Sequence, residues 1–174
     1  MKPSAEILEF YKSRMKAHIE SVNYFASLVG KKFPDHDDEK ASAMSLCAFG
    51  YWRDYHPDFV VPDDPGIHNA FQCHRRGSPH HAEFYNDIAL MPPGQIAEMV
   101  CDWFARSCER SLILRKNKYK SVFDFYERFA LPAFKFTPAQ QEQITDLISK
   151  IEKLWDKNQF LDIWRDVLNA VKVD

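Results

Sequence analysis

The stretch SAEILEFYKSRMKAHIESVNYFASLVGK, residues 4–31, decides the fold class. Ile7, Tyr11, Met15, His18, Val22 and Phe25 recur at three- and four-residue steps. That is the period of one helix face, so the spacing predicts a long amphipathic helix. Gly30 suits its C-terminal end. His18 falls on the apolar face and points inward. A buried imidazole must satisfy both ring nitrogens, and a metal ion with an acceptor behind the ring is one way to do so.

Working outward, Lys32, Phe33, Pro34 and Asp35 break the pattern, because proline disfavours helix in the residue before it. Asp35, Asp37 and Asp38 then place acidic groups at the start of a second helix, where the helix dipole favours them. That helix is expected to reach about Tyr55, with Ala41, Met44, Ala48, Phe49 and Trp52 inward. Residues 56–65 hold three prolines and three aspartates and read as a loop. A third helix over 66–76 puts Ile67, Ala70, Phe71 and His74 on one face. Gly77, Ser78 and Pro79 end it, and His80 and His81 open a short segment. After the break at 91–94, a helix over 95–114 carries Met99, Asp102 and Arg106. Ser121 caps a helix to about Phe129, which Pro132 is expected to stop. Thr137, Pro138 and Gln140 form a capping-box start. Ile144, Leu147, Ile148, Ile151, Leu154 and Trp155 make one amphipathic stripe. Phe160, Leu161, Trp164, Val167, Leu168 and Val171 make another, either continuous with it or after a short break near Asn158.

The composition agrees with an all-α reading. The chain has 174 residues and only five glycines, where average usage of about 7% would give about twelve. The length fits one domain over 1–174, with the chemistry before about residue 114 and closing helices over 115–174. With 23 Lys and Arg against 25 Asp and Glu, the formal charge is −2. That argues against bulk nucleic-acid binding and against a polybasic membrane anchor. No apolar run approaches the roughly 20 residues of a membrane span, and the charged N-terminus lacks a signal-peptide core, so a cytoplasmic location is expected. Cys47, Cys73, Cys101 and Cys108 form no C-x-x-C pair and read as free buried thiols. The last two helices could support a homodimer, but nothing demands one.

The histidines carry the chemistry. His68, His74, His80 and His81 fall within fourteen residues, His36 is followed by Asp37, and His18 lies upstream. Imidazole with carboxylate suits one or two divalent ions of Mn, Fe, Co, Ni or Zn, with Mg admissible. His56 and His68 are assigned to loop or surface. Each reading has a plainer alternative. His18 alone could be a hydrogen-bonded core residue, His36 and Asp37 a helix start, Asp102 a partner of Arg106, and Lys40 a solvated helix residue.

The order His18, then His36-Asp37, then Asp102 on a late helix resembles the HD-domain metal-dependent phosphohydrolases. The histidines added at 74, 80 and 81 resemble the two-metal branch, which includes cyclic-nucleotide phosphodiesterases and HD-type di-iron oxygenases. HDDEK at 36–40 looks like the H-D-x-x-K form in which the lysine meets a phosphate. With HHAEFY, the M-P start of a helix and EMVCDW, the run from His18 to Cys108 also resembles a family of small HD-like proteins of bacteria and phages. The pattern departs from the HD-GYP subgroup, because Glu does not follow His81 directly and no G-Y-P tripeptide is present.

The resemblance implies an HD-domain-like helical bundle with extra C-terminal helices. It implies a metal-dependent phosphohydrolase acting on a small phosphorylated molecule, a nucleotide being the first expectation, through attack by a metal-bridging water. Asp37 would bridge two ions, one held by His18, His36 and Asp102, the other by His74 with His80 or His81. Lys40, Arg75 or Arg76 would hold phosphate oxygens, and Glu83 would shuttle a proton. A di-iron oxygenase and a non-catalytic nucleotide- or metal-binding protein are the alternatives.

Overall fold

The computed structural model describes residues 2–41 and 44–171; the side chains of Glu39, Ala41, Met44, Ser45, Leu46, His68 and Val171 lie outside what is described. Helix α1, Ala5–Leu28, forms where the sequence places it. Ser4 caps it by accepting from the Ile7 amide at 3.3 Å. At its other end Gly30 takes a φ of 68°, which costs a residue without Cβ little. The Gly30 and Lys31 amides then donate back to Ser27 and Ala26, closing the helix with a Schellman motif.

Helix α1 is the axis of an all-α bundle, packing against α2 (Met44–Tyr55), α4 (Pro93–Cys108), α7 (Pro138–Leu154), α8 (Lys157–Ile163) and α9 (Arg165–Val171). Helix α3, Pro65–Gly77, lies on α2 and starts from an Asp64 cap. The larger core contains Val22, Phe25, Val100, Ile148, Phe160 and Trp164, and a smaller one joins Tyr11, Phe49, Tyr51 and Ile67. Burying an aliphatic or Phe side chain of this size contributes about 1.5–3 kcal/mol, so these stripes hold the bundle closed. No helix among the described residues is long and apolar enough to cross a membrane.

Three segments differ from the sequence reading. No α-helix starts at residue 35. Asp37 sits at φ 64°, in the left-handed region, and only a 3-10 turn, Asp38–Ala41, follows before α2. A residue at positive φ interrupts any right-handed helix through it.

Helix α4 does not run unbroken to residue 114. It gives way to a π turn, Glu109–Ile113, a widening that repeats its hydrogen bonds at five-residue spacing.

Pro132 does not end its helix. α5 (Val122–Phe125) passes through a π turn, Tyr126–Ala130, into α6 (Leu131–Phe134). The missing proline N–H falls in the first turn of α6, where the register changes and a donor is needed least. The capping box at Thr137 is present, with Gln140 N–H donating to Thr137 Oγ1 at 3.3 Å and Thr137 N–H to Gln140 Oε1 at 3.0 Å. Helix α7 ends at Leu154, which is exposed and not part of the buried stripe because it falls at the helix end, and Asp156 caps α8.

The cysteines are unpaired. Cys47, Cys101 and Cys108 are buried, but Cys73 is exposed on α3, contrary to the expectation that all four are core thiols.

Candidate metal centre

Each element delivers one part of a single cluster. His18 comes from the buried face of α1, and His36 and Asp37 from the turn before Asp38–Ala41. His74 lies in the last turn of α3, and His80 and His81 in the segment after Pro79. Asp102 comes from the middle of α4. His18, His36, Asp37 and His80 are all buried.

The cluster divides around the two oxygens of Asp37. On the Oδ2 side, His18 Nε2 lies at 3.3 Å and His36 Nε2 at 3.5 Å. Asp102 Oδ1 joins them, 3.1 Å from His18 Nε2 and 3.9 Å from His36 Nε2. On the Oδ1 side, His74 Nε2 and His80 Nε2 both lie at 3.4 Å. His81 Nε2 is 2.7 Å from His74 Nε2. Ligands about 2.0–2.2 Å from a shared ion stand roughly 2.8–3.6 Å apart at right or tetrahedral angles, and all of these separations but the 3.9 Å and 2.7 Å ones fall within that spacing.

The polar atoms fit a cation in a second way. Asp37 Oδ1 and His80 Nε2 are buried with no hydrogen-bond partner among the described residues. Such atoms are costly to bury, and a cation would satisfy both. Both groups could therefore hold a metal ion.

The other expected residues are placed differently. Lys40 is buried and donates to Asp37 Oδ2, so its ammonium is committed to that carboxylate. Glu83 lies 3.8 Å from Arg75. Arg76 is exposed. Arg106 does not pair with Asp102; it donates to Glu109 and lies 3.9 Å from Asp54. His56 lies in the loop after α2, as expected, half-buried with its ring stacked on Trp52 at 3.9 Å.

One participant escaped the sequence reading. Glu98 Oε1 accepts from His36 Nδ1 at 2.9 Å and lies 3.5 Å from His80 Nδ1. Its signal was available, because a residue four before Asp102 shares its helix face.

A cleft of about 370 Å³ opens onto this centre. Asp102, His81 and Met99 line it, with Trp103, Tyr119 and Phe125 beside them. Arg75, Arg106, Arg110 and Lys118 also line it, but Lys40 and Arg76 do not. The residues beyond 114 thus wall the cleft as well as closing the core. A second opening of about 420 Å³ reaches His36, His80 and Glu98.

A family model matches residues 8–151 of this chain. The chain belongs to DUF5662, a family of unknown function. No curated protein and no solved structure matches it. The DUF5662 segment contains every residue of the centre and the walls of the cleft, and leaves outside it α8, α9, the start of α1 and the end of α7.

The electrostatics of the DUF5662 centre suit ligation. Burial opposes the charge on Asp37, but Lys40, His18, His80 and His36 outweigh it and hold the carboxyl well below its usual range. Asp102 behaves alike, with burial overcome by the His18 hydrogen bond and by the charges of His18, His36 and His81. Burial pushes the His81 imidazole down to about 3, aided by His80 and His74 against the pull of Asp102. Near neutral pH the centre therefore offers ionised carboxylates and a neutral His81 ring, which are the forms that bind divalent cations.

Proposed function

We propose that this chain is a metal-dependent phosphohydrolase of the HD-domain kind, acting on a small phosphorylated molecule, with a nucleotide the best match to its cleft. One observation carries the reading: the two oxygens of one buried carboxylate, Asp37, each face a separate set of imidazole and carboxylate ligand atoms. Divalent Mn, Fe, Co, Ni or Zn suits such donors, Mg less so, and would supply acidity to water and charge neutralisation on phosphoryl oxygens. His18, His36 and Asp102 would hold one ion and His74, His80 and His81 the other, with Asp37 between them.

The chain's own groups do the rest. Asp102 and His81 belong to the ligand sets and also line the cleft, so a phosphate lodged there meets the centre directly. Arg106, Arg110 and Lys118 place positive charge along the same cleft, where charge-assisted hydrogen bonds to phosphate oxygens form. The faces of Trp103, Tyr119 and Phe125 favour a flat ring in the organic part. Glu83 stands in the cleft beside Arg75, in position to exchange a proton with a leaving group. Lys40 holds Asp37 in place and is not assigned to the phosphate.

The test is metal analysis of protein purified without added metal. A panel of nucleotides and simple phosphoesters with Mn, Co, Ni and Mg follows. Bound metal with released phosphate supports the proposal. Protein that holds no metal and releases no phosphate overturns it. Iron with oxygen consumption would assign a di-iron oxygenase, and tight nucleotide binding without turnover would assign a binding protein.

A further inference from the structure

We infer that Glu98 couples the two halves of the metal centre, so that the ions load together. The inference rests on the metal-centre reading above and adds to it a residue outside both ligand sets. A single oxygen, Glu98 Oε1, faces His36 Nδ1 at 2.9 Å and His80 Nδ1 at 3.5 Å. These two rings belong to different groups: His36 Nε2 points to Asp37 Oδ2, and His80 Nε2 to Asp37 Oδ1. Their centroids are 4.4 Å apart. Glu98 itself is 8% exposed, so water competes little for the carboxylate.

A carboxylate offers only acceptors, so His36 donates to it from Nδ1, and at 3.5 Å the same oxygen favours the Nδ1–H form of His80. Each Nε2 then keeps its lone pair for an ion. One group thereby sets the tautomer and the tilt of one histidine in each set. An ion bound beside His18 and Asp102 fixes the His36 ring. That ring fixes Glu98, and Glu98 fixes His80 before the second ion arrives. The ordering cost of the second site is met by the first, which is positive coupling. Although His36, His80 and Glu98 have the proximity of a third ligand set, using it would consume both Nδ1 atoms and leave neither ring oriented.

The experiment compares wild type, Glu98→Gln and Glu98→Ala. Calorimetric titration with Mn or Zn is combined with metal analysis, and circular dichroism checks folding. Wild type is expected to take two ions with a Hill coefficient above 1. The alanine variant should lose about 10–100-fold in affinity, as other partners of metal-bound histidines do, and lose the coupling. Glu98→Gln keeps the shape and an acceptor but not the charge, and should fall between.

A readout without metal is the nitrogen NMR tautomer of His36 and His80 at alkaline pH. It should be Nδ1–H in wild type and mixed in Glu98→Ala. Unchanged tautomers, or two ions bound with unchanged coupling in Glu98→Ala, would overturn the role of Glu98 alone. A third ion in wild type that is lost with Glu98→Ala would make it a ligand and also overturn the proposal. Wild type that takes up no ion would overturn the metal centre itself, and the coupling with it.

Discussion

Asp37 is the residue on which the centre turns, both by chemistry and by backbone. Its φ of 64° is tolerated by Asp and Asn far better than by other residues with a Cβ. Asp37→Asn therefore keeps the turn while removing the charge that two ligand sets share. We expect metal affinity to fall by more than about 100-fold, since partners outside a ligand set are already worth about 10–100-fold, with little change in circular dichroism. Metal analysis and calorimetry check this.

His81 gives a pH signature in metal-free protein. Its folded value, about 3, lies below the roughly 6.5 of an unfolded histidine. The folded state thus binds fewer protons, and the contribution of His81 is whole above about pH 6.5 and declines as pH falls toward 3. His36 is shifted the other way. Burial is outweighed by Glu98, Asp37 and Asp102, so its contribution is whole below about pH 6.5 and fades as pH rises. Urea midpoints from pH 6.5 to about 4.5 should fall in wild type and fall less in His81→Gln. At this scale the candidate ligand types were legible because His and Asp are rare on apolar helix faces. The commitment of Lys40 to Asp37 was not, because it depends on a left-handed turn that no propensity announces.

Among the elements, the π turn after α4 deserves its own test. It carries Glu109, fully buried, which receives two hydrogen bonds from Arg14 at 2.9 and 2.5 Å and one from Tyr55 at 2.9 Å. Burial works against the charge of Glu109, but Arg106 and Arg14 hold its carboxyl far below the ordinary range. Glu109→Gln leaves Arg14 buried without its counter-charge. Breaking such a pair typically costs about 3–5 kcal/mol, which a urea unfolding curve would register.

Thr137→Ala should cost about 1 kcal/mol by removing half of the capping box on α7. That box was readable from Thr137 and Gln140 because capping is local. The π turns were not, since five residues shift the hydrophobic period too little to be distinguished from a helix. Pro132 misled for a related reason: its effect depends on the register arriving from upstream.

At the scale of the whole molecule, the centre draws on α1, α3, α4 and the turns between them, so ions would staple the bundle. Metal at about 100 times its Kd should add about 2.7 kcal/mol, and a chelator should remove it. For a chain of this length that is a rise in Tm of roughly 5–11 °C, measurable by calorimetry. The all-α bundle was legible from periodicity and low glycine content alone. The cleft was not, because its walls join Arg75 and Trp103 to Tyr119 and Phe125, and such long-range meetings leave no local pattern.

Trp164 follows α8, far along the chain from α1, yet it is fully buried and donates from Nε1 to Ser21 Oγ at 2.8 Å. Ser21 stands three residues after His18 on α1. During synthesis, then, this tie on the helix that presents His18 forms only after α8 has left the ribosome, although α2 and α4, which also pack against α1, precede it. A nonsense change just before Trp164 would spare every residue of the centre and still leave α1 without that anchor.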